Sequence, residues 1–269
     1  MLGKLLKHEF KATGRIILPV IALLMGMTAL TALVIRFNGG YNYNFAYADE
    51  VPQYANLLIV STVFLTYAVV ITASLCAAFF ISFRRFYKDI LGDAGYLTHT
   101  LPVTAGQNIM AKLIAAVTWS VVSLVAAILS MMALYYSQTG IYNALNEIIS
   151  YIIAGIDAED ILILAVYCLQ GLFQLVCTYL WLYASFSIGH SFNNMKIVKS
   201  LLAAFGINIV WNIIKSIVGG ITMGSLYVYW GVGYYDIVRR IIFLILVVVE
   251  CVVLFFVTRY FLSKRLNLQ

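Results

Sequence analysis

Six long apolar runs, separated by shorter polar segments, dominate the pattern of this chain. They cover residues 16–35, 57–82, 108–134, 161–188, 198–218 and 238–258. Each run contains at least about 20 mostly apolar residues, which as a helix rising 1.5 Å per residue cross a ~30 Å hydrocarbon layer. Because the runs are apolar on all sides, lipid is needed to bury them. The pattern predicts an all-α polytopic membrane protein, with a single transmembrane domain over residues 1–269.

Composition supports this prediction and excludes several classes of protein. The chain is 63% hydrophobic and 10% charged, whereas soluble domains have about 25% charged residues. The cysteines lie inside apolar runs without a CxxC pair, and the histidines are isolated, so we expect no disulfide, metal or cofactor. The spans also lack a HExxH, a paired acidic motif and a nucleophile elbow. We therefore expect no catalytic residues.

The N-terminal residues MLGKLLKHEFK are amphipathic. Leucines and Phe10 share one helical face, and Lys4, Lys7 and Lys11 lie mostly on the other. This arrangement predicts a helix on the cytoplasmic surface of the membrane, ahead of the first span.

The basic residues predict the orientation of the spans. With both termini in the cytoplasm, all but four of the 17 basic residues fall on the cytoplasmic side, as the positive-inside rule requires. The net charge of +6 is then a topology signal, and no nucleic-acid surface is needed to explain it. We expect a multi-pass protein of the cell membrane.

The segment FYKDILGDAGYLTHTLP, residues 86–102, connects the second and third spans on this side. Gly92 is expected to end a helix, and Asp93 suits the N-cap of a short new helix that Pro102 terminates. Thr104 and Gln107 have the spacing of a capping box for the third span. The loop is more elaborate than a connection requires, which favours a surface that contacts something in the cytoplasm.

This segment resembles the loop after the second span in type-2 ABC exporter permeases of the Gram-positive branch. In that family a GD–GYL–TLPV pattern precedes a third span that starts with a lysine. The six spans and the two internal termini fit the same family. The matching residues are Phe86, Tyr87, Gly92, Asp93, Gly95, Tyr96, Leu97, Thr100, Leu101, Pro102, Val103 and Lys112.

The resemblance implies that the loop holds a coupling helix that docks on a separate ABC ATPase subunit. The chain would be the permease of an exporter for a peptide, drug or lipid, and would pair with a second permease chain. It has no GxxxxGK[ST] phosphate loop, so ATP hydrolysis would occur on the partner. The residues implied to contact the ATPase are Asp89, Asp93, Tyr96, Leu97 and His99.

Polar residues inside spans are costly and commonly face a bundle interior or a water-filled path. One set lies in each of the last three spans, and these residues either hold helices together or line a substrate path. For Glu250 we expect a place inside the bundle, with Asn208 as a hydrogen-bond partner and Lys215 as a less certain ion-pair partner. We expect Lys112 to extend to the cytoplasmic interface. The candidate path residues are Gln170, Gln174, Asn208, Asn212 and Glu250.

An alternative function stays open at this point. Six spans without strong internal repetition also suit an ATPase-independent membrane transporter, or an immunity or sensor protein.

Overall fold

The described backbone is helical throughout. The computed structural model describes residues 2–37, 51–92, 104–139, 146, 149–150, 158–192 and 194–264. No strand occurs among these residues. The principal elements are α1 (Leu2–Phe37), α2 (Val51–Phe86), a π-helical turn (Tyr87–Leu91), α3 (Ala105–Thr139), α4 (Ala158–Gly189) and α5 (Lys196–Lys264).

Six stretches of the described helices are long and apolar enough to cross a membrane, and they coincide with the six predicted spans. Large apolar side chains on them point away from the protein, such as Leu65 and Leu202, which are 68% and 66% exposed. This surface suits contact with lipid and indicates a multi-pass membrane protein. The stretches are Gly3–Phe37, Leu58–Leu91, Ala105–Ser137, Ile161–Gly189, Lys196–Thr222 and Ile237–Ser263.

The amphipathic N-terminal segment is not a separate element. It is continuous with the first span in α1, whereas the sequence predicts a surface helix followed by a span from residue 16. Gly14, a weak helix former just before that boundary, serves packing. A Cβ added to Gly14 would lie 2.6 Å from a ring carbon of Trp119 on α3. The glycine therefore admits the indole ring, and the helix continues past it.

Helix α5 contains two spans and turns back on itself between them. Lys215 and Glu250 are 35 residues apart, which would be about 50 Å along a straight helix, yet their side chains are 2.7 Å apart. Gly219 and Phe243 are also neighbours, since a Cβ on Gly219 would lie 3.6 Å from the phenyl ring. The Lys196–Thr222 and Ile237–Ser263 arms are therefore antiparallel.

The chain divides into two compact units. Unit 1 comprises Met1–Glu9, Phe83–Val117 and Asp157–Gln269, and unit 2 comprises Phe10–Ser82 and Thr118–Ile156. In unit 2, Tyr67 on α2 and Ser130 on α3 share a hydrogen bond of 2.7 Å. The buried apolar core of unit 2 takes residues from α1, α2 and α3: Leu24, Ile35, Tyr67, Ile71, Ala127 and Leu134.

One end of unit 1 brings together chain segments that the sequence predicts to lie on the same side of the membrane. We call this end, which contains Glu9, Lys112 and Arg259, the basic end. The Nζ of Lys112, at the start of α3, lies 2.8 Å from Glu9 of α1. Arg259, near the end of α5, lies against Gly106 of α3, 3.7 Å from a Cβ added there. The ends of these helices therefore meet as the alternating topology predicts.

The turn between α4 and α5 is closely packed at Gly189. A Cβ there would lie 1.9 Å from the Ser200 hydroxyl, 2.6 Å from the Ser200 backbone nitrogen and 2.7 Å from the Lys196 carbonyl oxygen. Two of these atoms belong to the backbone, so a methyl group cannot be accommodated by rotating a side chain. Gly189 thus allows the two helices to approach.

We predict that Gly189→Ala lowers the melting temperature of the detergent-solubilised protein, because the α4–α5 turn must open. The matched controls are Gly171→Ala and Gly206→Ala, at helical positions where an added Cβ meets nothing within 4 Å. There alanine should be neutral or stabilising by about 0.5–1 kcal/mol. Equal effects at all three positions would contradict the close approach.

Candidate functional site

Four charged side chains form a cluster at the basic end of unit 1. The Nζ of Lys112 donates to Glu9 Oε1 at 2.8 Å and to Asp89 Oδ2 at 2.6 Å. An Nη of Arg85 lies 3.2 Å from the other oxygen of Glu9. These four residues, called the charge cluster below, come from α1, the end of α2, the π-helical turn and the start of α3.

The centre of the charge cluster is buried. The side chains of Lys112 and Glu9 are 4% and 7% exposed, and those of Arg85 and Asp89 are 21% and 29% exposed. Two positive and two negative charges balance, so the cluster is neutral as a whole. Removing one partner from such a site leaves an uncompensated buried charge. The expectation that Lys112 extends to the interface is therefore wrong, because the lysine is held inside by two carboxylates.

Aromatic contacts fix the same segment to α4. The ring of Phe86 stacks on that of Tyr183, with centroids 3.6 Å apart and planes 7° apart. Tyr87 contacts Phe186 edge-on at 5.7 Å. Both Phe86 and Tyr183 are fully buried. Residues 85–89 are therefore held by ion pairs to α1 and α3 and by aromatic contacts to α4.

His190, just beyond α4, completes this contact. Its ring meets Tyr87 edge-on at 5.3 Å, and its Nδ1 lies 3.0 Å from the Phe186 carbonyl oxygen. Burial lowers the pKa of His190, because desolvation disfavours the charged imidazolium. The neutral ring therefore serves as an aromatic neighbour of Tyr87 at pH 7.

The π-helical turn sets where the loop begins. It ends at Leu91, and Gly92 adopts an extended conformation while its N–H donates to the Tyr87 carbonyl at 2.9 Å. The predicted helix break at Gly92 is confirmed. The Gly92 amide bonds to the carbonyl five residues earlier, whereas an α-helix uses the carbonyl four residues earlier. Such π-helical turns are frequent at functional sites.

The capping box of α3 is confirmed as well. The Thr104 N–H donates to Gln107 Oε1 at 3.2 Å, and the Gln107 N–H donates to Thr104 Oγ1 at 3.4 Å. Both ends of the intervening loop are thus defined. Of the predicted ATPase-contact residues, Asp89 lies in the charge cluster, while the coupling helix and Asp93, Tyr96, Leu97 and His99 lie outside the described residues.

A second ion pair lies in the middle of a span. Glu250 is 13 residues from each end of Ile237–Ser263, and Lys215 Nζ approaches its Oε2 to 2.7 Å. Glu250 is buried, as predicted. The contact is close, although its angles are not those of a hydrogen bond.

The sequence analysis gave too little weight to Lys215 as the partner of Glu250. Counting residues along the helices places the two backbones roughly 10 Å apart in depth, but the long, flexible side chain of the lysine spans much of that distance. Asn208, the expected partner, instead accepts from the Asn212 amide at its backbone oxygen, 2.8 Å away.

The remaining path candidates make no hydrogen bond or ion pair with Glu250 among the described contacts. Asn208, Asn212 and Gln174 are exposed on their helices. Gln170 lines a cavity with Arg239, Arg240 and Phe243. The described contacts therefore do not join the five candidates into one lane.

Sequence reasoning did not identify Glu9 as part of a site. It is the only acidic residue among the basic residues of the N-terminal segment, and that isolation was the available signal. Its partner Lys112 is 103 residues away, so no local pattern connects them.

We predict that Lys112→Met lowers the free energy of unfolding by about 3–5 kcal/mol, because the buried carboxylate of Glu9 and the partly buried carboxylate of Asp89 lose their shared counter-charge. Glu9→Gln should also destabilise. In the double variant Glu9→Gln/Lys112→Met the loss should be smaller than the sum, since one charge of each sign is removed. Denaturation in mixed micelles measures these changes.

Lys11→Met, at an exposed position on the same helix, is the control and should change stability by less than about 0.5 kcal/mol. If Lys112→Met matched this control, the cluster would contribute nothing to stability.

Searches of family models, curated proteins and solved structures found no match to this chain. Function is therefore inferred from the residues and contacts described above.

Proposed function

We propose that this chain is the permease subunit of an ABC exporter, in which a separate ATPase drives movement of a peptide, drug or lipid across the cell membrane. The observation that carries the proposal is the anchoring of residues 85–89. These residues lead directly into the loop that resembles a coupling helix, and they are fixed to α1 and α3 by charges and to α4 by aromatic rings.

This anchoring suits the transmission of force. A coupling loop joined to a single helix would move that helix alone. Here a displacement at residue 92 would act on Asp89, and through Lys112 on Glu9, within ion pairs of 2.6 and 2.8 Å. Interlocked, buried contacts of this kind are stiff because close-packed interiors transmit strain. Movement of the loop would thus shift the ends of several spans together.

The proposed ATPase-contact residues follow from this arrangement. Asp89 is 29% exposed while it is paired with Lys112, so its side chain can be reached from outside the cluster. Asp93, Tyr96, Leu97 and His99 would form the docking surface beyond Gly92. The basic end would face the cytoplasm, in agreement with the positive-inside rule.

A second permease chain is part of the proposal. Asn208 and Asn212 are exposed on the Lys196–Thr222 arm. The Asn212 amide nitrogen donates to Asn208 within the helix, and lipid would offer the remaining amide groups no hydrogen-bond partner. Polar side chains in spans commonly bond across a helix interface. We propose that this face packs against the second chain, which buries the two amides.

We predict that a P-loop ATPase co-purifies with this chain from cells that express its whole operon. The variant Asp93→Ala/Tyr96→Ala should retain insertion and folding, since loss of an N-cap costs only about 1 kcal/mol. It should lose transport, because ATP hydrolysis is uncoupled from the movement of the spans. Transport assays and ATP hydrolysis in proteoliposomes measure the coupling.

The matched control is Asp49→Ala/Tyr47→Ala, which removes the same residue types from the loop predicted on the opposite side of the membrane. Transport by the control and by Asp93→Ala/Tyr96→Ala at equal rates would contradict a coupling role. Purification of the chain without any ATPase would favour the ATPase-independent alternative.

We also predict that a cysteine at position 212 forms a disulfide-linked dimer on mild oxidation in membranes. The four native cysteines are first replaced by serine or alanine. Val210→Cys is the control, because Val210 is 55% exposed and lies roughly opposite Asn212 on the helix. Dimers from both positions, or from position 210 alone, would place the interface elsewhere.

A further inference from the structure

A cavity at the end of unit 1 opposite the basic end has an unusual lining. Its volume is about 210 Å³, and Arg239, Arg240, Gln170 and Phe243 surround it. The Arg240 guanidinium lies 3.6 Å from the centre of the Tyr167 ring, and that of Arg239 lies 5.8 Å from the Phe243 ring. Aromatic rings thus hold both guanidinium groups beside the cavity.

The third polar group is a buried acceptor. Gln170 Oε1 is inaccessible to solvent and has no hydrogen-bond partner among the described residues. A buried polar atom of this kind calls for a partner that occupies the adjacent space. The cavity therefore combines two cationic donors with one acceptor.

We propose that this cavity binds a phosphate group that carries a neighbouring hydroxyl or ammonium donor. The planar guanidinium groups match phosphate oxygens, and the donor would satisfy Gln170 Oε1. The volume lies below the ~300–1,000 Å³ of sites for drug-sized ligands. It suits a headgroup.

The depth of the arginines fits a phospholipid headgroup. Arg239 and Arg240 directly precede an apolar run, residues 241–257, in which Glu250 is the one charged residue. The two arginines therefore lie at the end of the span, where the ~30 Å hydrocarbon layer gives way to the headgroup region. A soluble phosphate ester has the same recognition chemistry, and the experiment separates the two sources. The site does not depend on the exporter function proposed above.

Thermal unfolding of the purified chain in detergent tests the site with three probes: short-chain phosphatidylglycerol, short-chain phosphatidylpropanol and glycerol phosphate. Phosphatidylpropanol has the same charge as phosphatidylglycerol but no hydroxyl. We expect phosphatidylglycerol to raise the melting temperature most, because a bound ligand stabilises the folded state. Stabilisation by glycerol phosphate at similar concentration would assign the site to a soluble ester, and stabilisation by the lipid alone would assign it to a headgroup.

Arg239→Gln/Arg240→Gln should weaken the apparent affinity for phosphatidylglycerol about tenfold or more, since charge-assisted hydrogen bonds are lost. Gln170→Leu should bind phosphatidylglycerol and phosphatidylpropanol equally. Lys4→Gln/Lys7→Gln removes two charges at exposed positions and should behave as the wild type. Each variant is compared with its own ligand-free melting temperature, so that a loss of stability is not read as a loss of binding.

The proposal is overturned if no probe stabilises the wild type, which would mean that the arginines are already satisfied within the protein. It is also overturned if the lysine control loses the response as fully as the arginine variant, because general charge attraction would then explain the binding.

Discussion

The ammonium group of Lys112, held between Glu9 and Asp89, is the interaction on which the arrangement of unit 1 depends. An ammonium buried to this degree is unstable without counter-charges, so the first turns of α1 and the turn after α2 must both reach the start of α3. Arg85, which pairs with Glu9, supplies the second positive charge of the cluster. The charges therefore act as a positional constraint, because the helix ends can separate only if a charge is left unpaired in a poorly solvated site.

The spans and local breaks could be predicted from sequence because each depends on neighbouring residues. Hydropathy over about 20 residues identifies a span, Gly92 ends a helix, and Thr104 pairs with Gln107 three residues away. Contacts between distant residues could not be predicted in this way. Glu9 meets Lys112 across 103 residues, and Gly14 of α1 meets the Trp119 ring of α3, which is similarly far along the chain.

Asn208, Asn212 and Lys215 show why the contacts of polar residues in spans are difficult to predict from sequence. Helical spacing placed Asn208 and Asn212 on one face, yet gave no sign of what that face contacts. Counting residues gave the depth of Lys215 at its backbone, whereas its charge lies at the end of a long side chain. For Lys215, the position of the charged atom matters more than the position of the residue.

The fold-back of α5 has a consequence for biosynthesis. When the Lys196–Thr222 arm leaves the ribosome, the partner of Lys215 has not been made, because Glu250 follows 35 residues later. At about 5–20 residues per second, that interval lasts roughly 2–7 seconds. A lone charged residue at the helix centre, where Glu250 lies, disfavours entry into lipid by about 2.5–3.5 kcal/mol, and a lone lysine nearer the end of its span, such as Lys215, faces a smaller penalty. The two arms therefore gain most by leaving the translocation channel together, as a hairpin whose charges are already paired.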